Sequence, residues 1–367
     1  MTDYVKQRIV YLDVLRILAC ALIFFMHSPK PDNGMNGIEA SFISLFTAPG
    51  VGLFIMVSGS LLLPVKENMR MFWKRRLRKI CFPALFWMFF YISDNYYHGE
   101  TNFHGVINSL ISIPFSVQGR GFLWFIYVIV GLYLIAPIIS PWLEKSSKKD
   151  IKLFLGLWCV TLFFPLLNPF VSINTSTYSS FYYICGFAGY FLLGFYIHRY
   201  PTIHPLWSLI PFFIIPFGCA GFIKFKSLKI DFYSVFWYQS IFVVIMCYAW
   251  YNLLLKTITK ISIPMSLSRL LSELSNCSFG MYLMHIFLMR RWIWFFPYFR
   301  EPNGGILQTF LIFITTFIVS FLITYLISLL PFSNYIIGYS RTKNISKNSR
   351  KMDTLSHQVS RQPLKKT

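Results

Sequence analysis

The chain has 367 residues, of which 56% are hydrophobic and only 13% charged, and its net charge is +21. Soluble domains carry roughly a quarter charged residues, so so large an apolar excess excludes an ordinary water-soluble domain and makes lipid its solvent. The cations alternate with the apolar runs, which excludes a nucleic-acid partner and assigns the positive charge to membrane surfaces and their lipids.

A membrane crossing needs about 20 apolar residues. Runs of about that length occupy residues 9–27, 41–63, 80–97, 122–140, 151–170, 181–198, 205–223, 232–254, 274–292 and 306–330. They predict an all-α, polytopic integral membrane protein with about ten transmembrane helices. The first run contains Asp13 and Arg16 and is followed by no small-residue cleavage pattern, so it is expected to stay as the first helix. The third run is the weakest, because Asp94 and Asn95 lie near its end. The stretch 105–117 is too short to span and reads as a re-entrant or interfacial segment.

Lys and Arg concentrate on the side of the two termini, in the stretches Lys66 to Lys79, Lys145 to Lys152 and Lys256 to Arg269 and in the tail from Arg341. That asymmetry predicts both termini in the cytoplasm. Residues 1–335 then form the transmembrane domain, and 336–367 a basic, disordered cytoplasmic tail able to rest on anionic lipid. The seven cysteines fall mostly within apolar runs and form no CxxC pair. They read as small core residues rather than a disulfide framework or a metal site.

Four segments hold residues capable of chemistry. In YLDVLRILACALIFFMHS, residues 11–28, Arg16 and His27 are eleven apart, which is about three helical turns and therefore one face. Asp13, three residues before Arg16, is placed to pair with it. Ionisable groups inside a span are costly and face a cavity or a partner. Mutual neutralisation of Asp13 and Arg16 with His27 at the interface is one reading; a histidine acting as general base on a hydroxyl is the other. In FWKRRLRKICFP, residues 72–83, the cations are expected in a short cytoplasmic loop that ends at a helix starting around Pro83. They either anchor the chain or offer, through Arg75 and Arg78, fork-shaped donors to a phosphorylated ligand. In SNCSFGMYLMHIF, residues 275–287, Ser278, Tyr282 and His285 share a face and either bond between helices or line a polar cavity. In residues 121–139, Trp124, Tyr127 and Tyr133 read as packing and belt aromatics.

Taken in order, LDVLRILAC with Arg16 and His27, VGLFIMVSG at 51–59, WKRRLRKICFP at 73–83, LWFIYVIVGLYLIAP at 123–137, YFLLGFYI at 190–197 and CSFGMYLMH at 277–285 resemble the acyltransferase-3 family of membrane acyltransferases. The resemblance covers about residues 9–330. It implies a multi-pass protein of the bacterial cytoplasmic (inner) membrane that moves an acyl group, commonly acetyl, from cytoplasmic acetyl-CoA or another acyl-CoA as co-substrate. The acceptor would be a hydroxyl of a surface polysaccharide such as a lipopolysaccharide O-antigen, or of a lipid-linked oligosaccharide or glycolipid. No metal is implied.

Carried over by position, His27 is the catalytic residue with Arg16 its partner, and Arg75 and Arg78 bind the acyl-CoA phosphates. Asp13, Tyr282 and His285 would line the substrate cavity, with Tyr282 or His285 polarising the thioester carbonyl. Trp292 and Trp294 offer faces for sugar rings. The resemblance leaves open the acceptor sugar, the oligomeric state, and direct transfer against a covalent acyl-histidine. A transporter or flippase of a glycolipid or acylated metabolite is the rival reading, because intramembrane charge also marks transport paths.

Overall fold

The computed structural model describes residues 9–28, 43, 46–117, 121–164, 186–201, 214–215, 218, 238–300 and 305–341. Most of the expected span at 205–223, the later part of that at 151–170 and the tail beyond 341 lie outside the described residues.

Every described regular element is a helix. The principal ones are α1 (Val10–His27), α2 (Pro49–Leu62), α3 (Met69–Tyr97), α4 (Phe103–Ser112), α5 (Trp124–Lys145), α6 (Lys148–Thr161), α7 (Ala188–Arg199), α8 (Ile241–Ile258), α9 (Met265–Phe287) and α10 (Gly305–Ser328). Among the described residues, four helical stretches are long and apolar enough to cross a membrane: Val10–His27, Gly121–Lys145, Ile241–Ile258 and Ile306–Ser328. The 18 residues of α1 rise about 27 Å at 1.5 Å each, close to the hydrocarbon thickness of a bilayer.

The polarity of α10 identifies its solvent. Thr316, Ser320, Thr324 and Ser328 recur every four residues and are fully buried, whereas Ile318, Leu322 and Leu326 are exposed. A helix in water buries its apolar stripe. One that hides hydroxyls and displays Leu and Ile is built for lipid, where small polar residues mediate helix contact. The hydroxyls of Thr316, Ser320 and Ser328 are satisfied within the helix, as where Thr316 Oγ1 donates to the Ile312 carbonyl at 2.7 Å, and Thr324 Oγ1 reaches the Met284 sulfur of α9 at 3.7 Å.

Small residues also set the α2–α7 crossing. A Cβ on Gly59 would lie 1.9 Å from the Phe191 carbonyl oxygen, and one on Gly194 would lie 2.0 Å from that of Met56. The two backbones therefore touch. Ser60 Oγ reaches the Gly194 carbonyl at 2.9 Å and the Tyr251 hydroxyl at 2.6 Å, which adds α8 to the crossing. On its other side α2 packs on α1, where a Cβ on Gly50 would stand 3.0 Å from the Ala19 carbonyl.

The cationic segment differs from its expected form. It is not a loop: α3 starts at Asn68, whose side chain accepts the Arg70 N–H at 2.9 Å, and runs 29 residues through Pro83. Lys74, Arg75, Arg76, Arg78 and Lys79 therefore sit on its first turns. A proline inside a helix removes the donor for the carbonyl four residues back, here that of Lys79. The chain after α10 closes on that carbonyl. Gly338, at φ +73°, approaches so closely that a Cβ would lie 2.8 Å from the Lys79 oxygen. Trp87 Nε1 donates to the Ile336 carbonyl at 3.0 Å and fixes the same contact. Packing continues past the expected domain end at 335: Ile337 is buried and Arg341 lies 3.9 Å from Glu273.

At the far end of α3, Asp94 is paired, and α3 is not one of the four stretches long and apolar enough to cross a membrane. Arg291 donates from Nε to Asp94 at 2.9 Å and from Nη2 to Glu100 at 2.7 Å. The short 105–117 stretch forms the surface helix α4, capped by Asn102, with Phe103, Ile107 and Ile111 exposed.

Candidate active site

α1 ends where it does because Ser28 turns its backbone away and bonds the last turn. Its N–H and its hydroxyl both donate to the Phe24 carbonyl at 3.0 Å. His27 is thereby held on the final turn of the helix. Eleven residues earlier Arg16 lies on the same face, about 16 Å away along the axis. Its guanidinium donates to Ser275 Oγ of α9 at 3.4 Å. Asp13, one turn further back, is buried.

The partner of His27 is His285. The two residues are 258 apart in the chain, yet His285 Nε2 and His27 Nδ1 stand 3.0 Å apart. The other ring nitrogen of His285, Nδ1, bonds the Tyr282 carbonyl. His285 is fully buried, stacked on Phe24 at 4.8 Å between ring centroids, with the Tyr282 ring at 5.6 Å. The expected face Ser278–Tyr282–His285 thus packs toward α1, where Cys20 Sγ meets the Ser278 carbonyl at 3.7 Å. Tyr282 sends its hydroxyl to the Phe122 carbonyl at 2.7 Å. Both of its nearest neighbours in the expected cavity, His285 and Tyr282, are therefore engaged with protein atoms and leave His27 as the ring nearest the helix end.

A cavity of about 100 Å³ lies where the end of α9 meets the last turns of α3, lined by Tyr91, Asp94, Asn95, Glu100, Phe122, Ile286, Phe287, Arg290 and Arg291 but by neither histidine. Its polar rim is set by the Arg291 clamp. Trp292 is exposed beyond it, while the side chain of Trp294 lies outside the described residues.

Arg75 and Arg78 lie at the opposite end of α3. With Glu67, Met71, Lys74, Asn334 and Tyr335 they line an open groove of about 480 Å³. Arg75 pairs with Glu67, and the Arg78 guanidinium lies 5.9 Å from the centre of the Phe82 ring. Nineteen residues separate Arg75 from Asp94 on one helix, so the groove and the histidine end are about 28 Å apart. Asn334 and Tyr335 are contributed by the turn after α10. Sequence reasoning missed them, since nothing in their spacing ties them to α3; the glycine at 338 was the one available sign of a close approach.

A helical bundle with lipid-type polarity, a histidine pair at one end and a cationic groove at the other defines a multi-pass membrane protein with a site fit for group transfer. A model of the acyltransferase-3 family, described as an acyltransferase domain, matches residues 9–325. The chain belongs to that family, and it is a membrane acyltransferase. No curated protein and no solved structure matches it.

Proposed function

We propose that the protein is an acyl-CoA-dependent O-acyltransferase, with acetyl-CoA as donor, in the bacterial cytoplasmic membrane. The acceptor is a hydroxyl of a surface polysaccharide or glycolipid. The chain crosses the bilayer about ten times, with both termini in the cytoplasm. The observation that carries this reading is the layout of α3, which bears a phosphate-ready cation cluster at one end and adjoins the histidine pair at the other. Their separation of about 28 Å is that of the hydrocarbon layer. A donor made inside and a glycan finished outside need two such stations.

In this reading Lys74, Arg75 and Arg78 hold the acyl-CoA phosphates by charge-assisted hydrogen bonds. Arg16 lies between the stations, on the face of α1 that leads to His27. His27 removes the proton of the acceptor hydroxyl as its oxygen attacks the thioester carbonyl. The C–O bond forms, the C–S bond breaks, and the CoA sulfur leaves with the proton that His27 returns. General-base assistance of this kind contributes about 10²–10⁴ in rate.

The test is purified protein in lipid nanodiscs supplied with acetyl-CoA and surface glycan. Free CoA thiol should appear only with acceptor present, and mass spectrometry should find the glycan heavier by one acetyl group. His27→Ala should abolish both while the protein stays folded. Undiminished transfer by His27→Ala would remove the assigned base. Glycolipid movement across the bilayer without any thiol release would favour the flippase reading.

A further inference from the structure

The turn of α9 that carries His285 is not held by its own backbone alone. The hydroxyl of Tyr91, a buried residue of α3, donates to the Leu283 carbonyl at 2.9 Å and accepts the Phe287 N–H at 3.2 Å. Those two backbone groups are the ones that face each other across a regular α-turn. A side chain placed between them bends or opens a helix. Immediately afterwards Leu288–Trp292 widens into a π-helical turn, a feature concentrated at functional sites. His285 sits inside the bridged turn.

Hydrogen-bond direction then fixes the protons. A carbonyl oxygen only accepts, so His285 Nδ1, bonded to the Tyr282 carbonyl, carries a hydrogen. With one proton per ring, His285 Nε2 holds a lone pair. The atom 3.0 Å from it, His27 Nδ1, must then be the donor. What remains to His27 is a lone pair on Nε2, the ring nitrogen farther from the backbone.

We infer that His285 is a positioning residue that holds His27 in its Nδ1–H tautomer with Nε2 free for the acceptor hydroxyl, and that Tyr91 keeps His285 in place. This rests on the reading of His27 as the base. The relay moves no proton itself; it selects the nitrogen that does. Second partners that orient a ring in this way settle which nitrogen reacts. They also explain why the burial of His285 away from any substrate does not make it idle.

The experiment uses full-length protein in lipid nanodiscs, labelled with ring-¹⁵N histidine, with His27→Asn to assign the His27 signals. In the wild type His27 should be protonated at Nδ1 and bare at Nε2 before any substrate is added. In His285→Ala the two tautomers should mix, and kcat for acetyl transfer should fall about 10²-fold, the low end of general-base worth, with acceptor KM nearly unchanged. His285→Gln keeps an amide oxygen able to accept the same N–H, so it should retain the tautomer and recover at least about tenfold of the loss. Tyr91→Phe, which removes the bridging hydroxyl alone, should show a partial mixture and an intermediate kcat.

A wild-type His27 protonated at Nε2 would overturn the inference. So would His285→Ala with unaltered His27 signals, or His285→Gln no better than His285→Ala. The tautomer is read without substrate, so it fails or holds separately from acyl transfer, which His27→Ala tests.

Discussion

Arg75 makes one ion pair, and its strength decides what a phosphorylated ligand can do there. Its side chain is 58% exposed and that of Glu67 21%, so the pair is solvent-screened and worth no more than about 1 kcal/mol. A doubly charged phosphate outcompetes a single carboxylate at such a site. Arg75→Ala and Arg78→Ala should each raise the KM for acetyl-CoA about tenfold with kcat little changed. Glu67→Gln, which frees Arg75, should lower it. Steady-state kinetics at low and high salt check this, because the differences should shrink as salt screens the groove. An unchanged KM in all three variants would remove the groove from donor binding. At this scale the sequence was partly legible. The eleven-residue spacing of Arg16 and His27 follows from helix geometry alone, and so does their shared face. The His27–His285 contact does not, because it joins residues 258 positions apart and exists only once α1 and α9 pack. Tyr91 gave no sign either: a tyrosine in an apolar run reads as packing until its hydroxyl is seen between Leu283 and Phe287.

At the scale of helices, apolar run length located the four stretches able to cross a membrane among the described residues and missed how the helices touch. VGLFIMVSG was read as a motif; its glycines are a contact surface, since Gly59 and Gly194 let α2 and α7 meet at backbone distance. A Val at either position would push carbonyl oxygens out of place rather than fill a gap. Overpacking costs typically 1–3 kcal/mol, and more where backbone must move. Gly59→Val and Gly194→Val should therefore lower thermal stability in detergent sharply, seen as early loss of the monodisperse peak on heating. Gly131→Ala in α5 is the control: nothing lies within 4 Å of its would-be Cβ, so stability should hold or rise slightly. Equal damage from all three would mean that the crossing is not what the glycines serve. The same scale explains the misplacement of the cations. Pro83 looked like a helix start, because proline favours first turns. The true start is the Asn68 cap, and the turn after α10 packs closely over the carbonyl that Pro83 leaves without its helical donor. That close approach comes from 255 residues downstream of Pro83, at Gly338, where no local rule reaches.

For the whole molecule, α3 is the member that relates the two ends. Its basic turns line the groove, and its last turns hold Asp94 in the Arg291 clamp at the small cavity beside the end of α9. In the proposed reading α3 crosses the bilayer, so that a cytoplasmic groove would put the histidine end on the other side. The charge distribution along the chain, legible from sequence, predicts the Lys66–Lys79 stretch inside. What sequence left open was that this stretch and the Asp94 end belong to one uninterrupted rod. Lys66 precedes the rod and is exposed; Tyr97 ends it and is 86% exposed. In a cysteine-free background, Tyr97→Cys should react with a membrane-impermeant maleimide on intact spheroplasts, and Lys66→Cys only after permeabilisation. The opposite pattern would put the cation groove outside the cell, where no acyl-CoA is made, and His27 inside, where no surface glycan is finished. Labelling of both from one side would mean that α3 does not cross at all, and the separation of about 28 Å between donor groove and base would no longer measure a membrane.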